Sequence, residues 1–170
     1  WAAPVDGEGR CGGRGRSFER VATFPVFENN ADPGAETVAE IVEATPDGTT
    51  LVYTDAVQGV AGFVDIRRPS DPRPGGTVDV GGSPTSVAVT SRYALISVDS
   101  SPSFAAPSGH LRVIDLRTHA VVATIDLGGQ PDSVKLSPDG KYLAVVMENQ
   151  RDEGVTVDGV EGGLPQTPPG

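Results

Sequence analysis

The sequence predicts an all-β chain that folds as about two and a half four-stranded blades of a β-propeller, preceded by a closing strand. Three observations carry this expectation. First, Ala39-Glu40-Ile41-Val42-Glu43-Ala44-Thr45-Pro46-Asp47-Gly48 is answered by Pro84-Thr85-Ser86-Val87-Ala88-Val89-Thr90-Ser91. It returns as Pro131-Asp132-Ser133-Val134-Lys135-Leu136-Ser137-Pro138-Asp139-Gly140, so the period is 46 and then 47 residues, the length of one blade. Second, Gly 22 and Pro 15 supply the many turns an all-β chain needs. Third, no stretch sustains apolar residues at helical spacing with caps.

Each blade should hold antiparallel strands A to D from the channel outward. Blade one (39–80) is predicted as A 40–45, B 50–54, C 62–67 and D 76–80. Blade two (84–127) is predicted as A 86–90, B 93–98, C 110–116 and D 121–127. The third blade begins over 131–170, with only A 132–137 and B 142–148. Pro46-Asp47-Gly48 and Pro138-Asp139-Gly140 fall at A–B turns, where Pro fixes φ and Gly accepts a positive one. Ahead of the repeats, residues 17–30 should provide a closing strand over 18–27. Residues 1–16 read as a flexible arm, because the formal Gly7/Gly9/Gly12 motif has neither the strand nor the helix of a dinucleotide site.

A net charge of −10 argues against nucleic acid, since no basic face exists to replace phosphate counterions. No apolar run is long enough to span a membrane. Cys11 is the single cysteine, to be read as a free thiol or as a bridge to another chain. The Trp1-Ala2-Ala3-Pro4 start resembles a processed terminus and implies a secreted protein.

Antiparallel order gathers the B–C and D–A loops at one rim, and this rim is rich in acids and amides. Glu148-Asn149-Gln150-Arg151-Asp152-Glu153 is the strongest candidate for chemistry. Its oxygens suit a hard divalent cation, Ca²⁺ before a transition metal. Arg151 could instead hold a phosphate by a bidentate contact, or brace the loop by pairing with Asp152 or Glu153. Glu40, Thr85 and Asp132 share a place at the top of strand A, where they either reach the channel or cap the turn. The opposite rim carries Arg67, Arg68, Arg73, Arg117 and His119, read as solvated turn residues. His110 reads as packing or surface. A Ser-His-Asp set cannot be assembled from histidines on opposite rims.

Residues His110 to Ala144 resemble the YVTN-type bacterial propeller repeat. The ordered set Phe24-Pro25-Val26-Phe27, Ala39-Glu40-Ile41, Leu51-Val52-Tyr53-Thr54-Asp55, Gly82-x-Pro84-Thr85-Ser86-Val87, Gly129-Gln130-Pro131-Asp132-Ser133 and Glu148-Asn149-x-Arg151-Asp152-Glu153 resembles the "esterase-like activity of phytase" family of secreted bacterial propellers. That resemblance implies a metal-dependent phosphoester hydrolase, most nearly a phosphodiesterase acting on a small glycerophosphodiester. It also implies metal ligands among Glu40, Asp132, Glu148, Asp152 and Glu153, with Glu148, Asn149 and Arg151 as catalytic residues. The Pro168-Pro169-Gly170 end implies a cleaved precursor whose second polypeptide completes the ring, as in a two-chain glycerophosphodiesterase-like member. Cleavage there could expose an N-terminal hydroxyl or thiol nucleophile. The alternative is a non-catalytic surface propeller that binds a protein or glycan. A quinone-holding redox propeller has no supporting site.

Overall fold

The computed structural model describes residues 18–148, Gly154, Thr156–Val157 and Val160–Glu161. The arm with Cys11 and the remaining residues after Glu148 lie outside the described residues. Blade one comprises β1 (Ala39–Ala44), β2 (Thr50–Asp55), β3 (Val60–Asp65) and β4 (Arg73–Asp79). Blade two comprises β5 (Ser83–Val89), β6 (Tyr93–Asp99), β7 (Gly109–Asp115) and β8 (Val121–Asp126). Each blade is an antiparallel sheet in sequence order. A third blade opens with β9 (Gln130–Leu136) paired to β10 (Leu143–Glu148), and a short hairpin follows as β11 (Thr156–Val157) and β12 (Val160–Glu161).

The repeated A–B turn shows why the sequence folds this way locally. Thr45 Oγ1 donates to Asp47 Oδ1 at 2.6 Å and accepts from the Thr50 amide at 3.1 Å. Ser137 Oγ repeats this with Asp139 Oδ1 at 2.6 Å and the Tyr142 amide at 3.0 Å. Gly48 and Gly140 follow at φ 68° and 70°. A Cβ at either would meet nothing within 4 Å, so glycine is required by conformation rather than by space.

The N-terminal segment differs from expectation. Residues 18–25 belong to no strand, and Val26–Asn29 forms a 3₁₀ turn. A strand needs a ladder partner; this segment pairs with no strand among the described residues, and Pro25 has no N–H to donate. Instead the segment is pinned by buried Asn29. Its Nδ2 donates to Tyr53 Oη at 3.1 Å and to the Phe63 carbonyl at 2.8 Å, and its Oδ1 accepts from the Gly76 amide at 2.8 Å. Tyr53 can lie over strand β3 only because residue 62 is glycine: a Cβ there would sit 2.0 Å from Tyr53 Cζ.

The core lies between blades. Val52, Ala61, Phe63 and Val80 of blade one pack against Val87, Val89, Ala94, Ile96, Val98 and Ile114 of blade two. Between blades two and three the core is Ala88, Leu111 and Val134, flanked by Leu95, Leu136, Leu143 and Val145. His119 joins the first interface and is not the solvated turn residue expected. It holds a left-handed φ of 55°, and its ring stacks on Phe63 across the blade boundary at 4.0 Å between centroids.

Burial pushes the His119 pKa below its ordinary 6.5. The folded state therefore binds a proton less readily than the unfolded one, so this site's stability is fully present above 6.5 and erodes as pH falls below it. Melting temperature should drop between about pH 7.5 and 5.5, and His119→Leu should flatten that slope. An unchanged slope in the variant would refute the assignment. Gly62→Ala should cost about 1–3 kcal/mol in urea unfolding, by forcing the Tyr53 ring off its site.

Candidate functional site

Antiparallel order puts the starts of β1, β5 and β9 and the ends of β2, β6 and β10 on one rim. The innermost strands adjoin from blade to blade: β5 packs on β1 and β2, and β9 on β5 and β6. Several aspartates on this rim brace turns, each through one carboxylate oxygen or more. Asp55 Oδ1 accepts the Val38 and Gln58 amides, both at 3.1 Å. Asp79 takes the Gly81 amide at 2.7 Å and Asp126 the Gly128 amide at 2.9 Å. Asp99 accepts the Ser101 amide at 2.8 Å and, from the next blade, Gln130 Nε2 at 3.2 Å. Short acidic side chains at strand ends satisfy amides that leave the ladder.

Glu40, Thr85 and Asp132 stand apart. Counted from the A–B turn, they occupy one equivalent position, and each falls where the A–B register slips. The register breaks between Ala39 and Val42 in β1, between Pro84 and Ser86 in β5, and opposite Val146/Met147 in β10, where Ser133 and Pro131 are the flanking partners. A β-bulge inserts one residue and re-aims its side chain. Three innermost strands therefore carry the same bulge at the same height. Thr85 Oγ1 lies 2.9 Å from Ser97 Oγ of the neighbouring strand, a structural contact. Glu40 and Asp132 are exposed, and among the described residues their carboxylates enter no hydrogen bond or ion pair. Exposed Glu148, opposite Gln130 in the ladder, likewise enters no hydrogen bond or ion pair among the described residues.

Of the residues expected to do chemistry, Glu40, Asp132 and Glu148 are thus placed on this rim. Asn149, Arg151, Asp152 and Glu153 lie outside the described residues. Among the described residues, no three His, Cys, Asp or Glu side chains converge closely enough to hold a metal. Glu40 belongs to blade one while Asp132 and Glu148 belong to blade three, so blade two stands between them. His110 is a packing residue, with Nε2 2.9 Å from the Val80 carbonyl.

The rim also carries a feature that sequence reasoning passed over. The β6–β7 connection, residues 100–108, is stapled at its base. Ser108 amide donates to Ser101 Oγ at 2.9 Å, and Ser101 Oγ donates to the Ser108 carbonyl at 3.0 Å. The stapled loop presents exposed Phe104. Its signal was available as Pro102 and Pro107 bracketing an apolar tip, in a connection much longer than the β2–β3 turn.

Two kinds of carboxylate should respond differently to neutralisation. Glu40→Gln and Asp132→Asn should stay within about 0.5 kcal/mol of the parent, whereas Asp55→Ala should cost about 1–3 kcal/mol by orphaning two amides. Urea denaturation of the three variants measures this; a large loss in Glu40→Gln or Asp132→Asn would mean those groups are structural.

Comparison with known proteins agrees with this architecture. The "Seven-bladed beta-propeller protein Rv1057" of Mycobacterium tuberculosis (strain ATCC 25618 / H37Rv) is 31% identical over 154 residues, which cover 84% of this chain and 36% of that protein. The chain thus spans little more than a third of that curated relative. Among solved structures, Kuenenia stuttgartiensis hydrazine synthase matches with TM-score 0.50 and 26% identity, over 63% of this chain and 28% of that one. The family model for the choice-of-anchor I domain matches residues 40–164. The chain, a partial β-propeller, belongs to the choice-of-anchor I domain family.

Proposed function

We propose that this chain supplies blades of a secreted propeller whose channel mouth binds a divalent cation, Ca²⁺ first, and uses it to hydrolyse a small phosphodiester. The observation that carries the reading is the repeated bulge: among the described residues Glu40 and Asp132 sit uncommitted at one equivalent position of the innermost strands, while Asp79, Asp99 and Asp126 hold turns. Uncommitted carboxylates are the ligands a hard cation takes. A cation there would polarise the phosphoryl oxygen and orient the attacking water. The resemblance of the ordered rim motifs to phytase-like propellers supports the substrate class.

Ring completion by further polypeptide is part of the proposal. Val42, Ala44, Leu51 and Tyr53 correspond in A–B register to Val87, Val89, Ala94 and Ile96. The latter four are buried beneath blade one, yet Val42 is 59% exposed. Strand β10 likewise presents Val146 at 55% exposure. Both surfaces suit adjoining blades, with the remaining ligands supplied by them and by residues 149–153.

A second reading is a ligand-binding propeller without catalysis. It is favoured by the stapled loop that presents exposed Phe104. The two separate experimentally. The complete protein should hydrolyse a glycerophosphodiester, lose turnover on chelation and regain it with Ca²⁺. Asp132→Asn should lower activity about 10–100-fold or more, since even residues behind metal ligands cost that much. Turnover that survives chelation refutes the metal role, and calorimetric Ca²⁺ binding without turnover on mono- and diesters selects the second reading.

A further inference from the structure

The opposite rim holds an inter-blade cleft, apart from the channel mouth. Three turns from two blades meet there around a cleft of about 390 Å³ whose wall includes Asp47, Thr50, Ser91, Arg92, Asp115 and Arg117. Its carboxylates are largely spent. Asp47 Oδ1 accepts Thr45 Oγ1 and both the amide and hydroxyl of Thr49. Asp115 Oδ1 accepts the Arg117 and Thr118 amides at 3.0 and 3.1 Å. Its Oδ2 accepts Arg92 Nε at 3.4 Å. That contact, with the Arg92 guanidinium 5.0 Å from the Tyr93 ring centroid, orients Arg92 from behind. The Asp115 side chain is only 9% exposed, whereas that of Arg92 is 70% exposed.

The donor inventory is lopsided. Among the described residues, both terminal nitrogens of Arg92, the whole Arg117 guanidinium, Ser91 Oγ and Thr50 Oγ1 have no hydrogen-bond partner. Against them stands one uncommitted carboxylate oxygen, Asp47 Oδ2. Two guanidiniums with two hydroxyls match a tetrahedral oxyanion. A carboxylate oxygen at the same cleft would repel a bare anion but accept a ligand hydroxyl. We propose that this inter-blade cleft binds a phosphorylated sugar, with the phosphate on Arg92 and Arg117 and a sugar hydroxyl on Asp47. The chain's net charge of −10 does not forbid this, because screening within about 8 Å at physiological salt leaves the nearest groups dominant.

Calorimetry on the full chain with a hexose 6-phosphate, orthophosphate and the neutral hexose tests the assignment. The sugar phosphate should bind more tightly than orthophosphate, and the neutral sugar should not bind. Arg117→Ala removes a side chain that makes no hydrogen bond or ion pair among the described residues, so the fold should persist while affinity falls about tenfold, the loss expected for hydrogen bonds to a charged group. Arg92→Lys, which keeps the charge and loses the fork, should also weaken binding, and Asp47→Asn should narrow the preference for the sugar phosphate over orthophosphate. Arg73→Ala, at a separate turn, is the control. No binding, or binding indifferent to Arg117→Ala, or equal losses in Arg73→Ala, would overturn the proposal.

Discussion

Everything in this chain depends on one packing constraint: a blade is a thin sheet with two apolar faces, and neither face is stable in water. Val52 and Phe63 are fully buried only because Val87, Ile96 and Ile114 lie across from them. Each such side chain contributes about 1.5–3 kcal/mol when removed from water, so the interface outweighs any single polar contact in the structure. Register within a blade and stacking between blades are therefore coupled. A slip of one residue would turn Val87, Val89 and Ile96 away from blade one and present their neighbours instead. The repeat length follows from the same constraint, because four short strands and their turns make one stackable unit.

The turns use acidic side chains to hold this geometry. Strand after strand ends in aspartate, and in case after case its oxygen accepts an amide two or three residues on, as with Asp79 and Gly81 or Asp126 and Gly128. Much of the negative charge is thus architectural. On the lower rim other strand-end aspartates also collect arginines: Arg67 pairs with Asp65, whose pKa is held down to about 2 by that guanidinium's hydrogen bonds. These exposed pairs add little stability, since solvent screens them. They do fix where the guanidiniums point.

How much of this was legible in the sequence follows from how local each determinant is. Strand periodicity and Pro-Asp-Gly turns are local, so the blades emerge where the repeat places them. Glu40, Thr85 and Asp132 were legible as residues at the top of strand A, but a 46-residue period pairs Glu40 with Ser86, and their exact equivalence emerges only from the A–B register and its bulge, a property of two strands. The 18–27 segment reads as a strand by composition, yet a strand exists only beside a partner, and Asn29 instead ties the chain to Tyr53, Phe63 and Gly76. His119 was illegible for a similar reason: its partner, Phe63, lies in another blade. Composition also could not separate aspartates that hold turns from those left free.

That separation gives the rim its meaning. A fold that places an acid at most strand ends has many carboxylates and few available ones, so abundance of negative charge is poor evidence for a cation site. Availability is better evidence. Glu40 and Asp132 are exposed, unpaired among the described residues and positioned by a bulge repeated in strand A of each blade, which shifts them out of the ladder that would otherwise fix their direction. Thr85 occupies the same bulge but spends its hydroxyl on Ser97. Within one repeated scaffold, identical backbone placement is thus put to structural use in blade two and left open in blades one and three. Because strand A is innermost, a closed ring would turn those open positions toward a common axis, which individual blades cannot do alone.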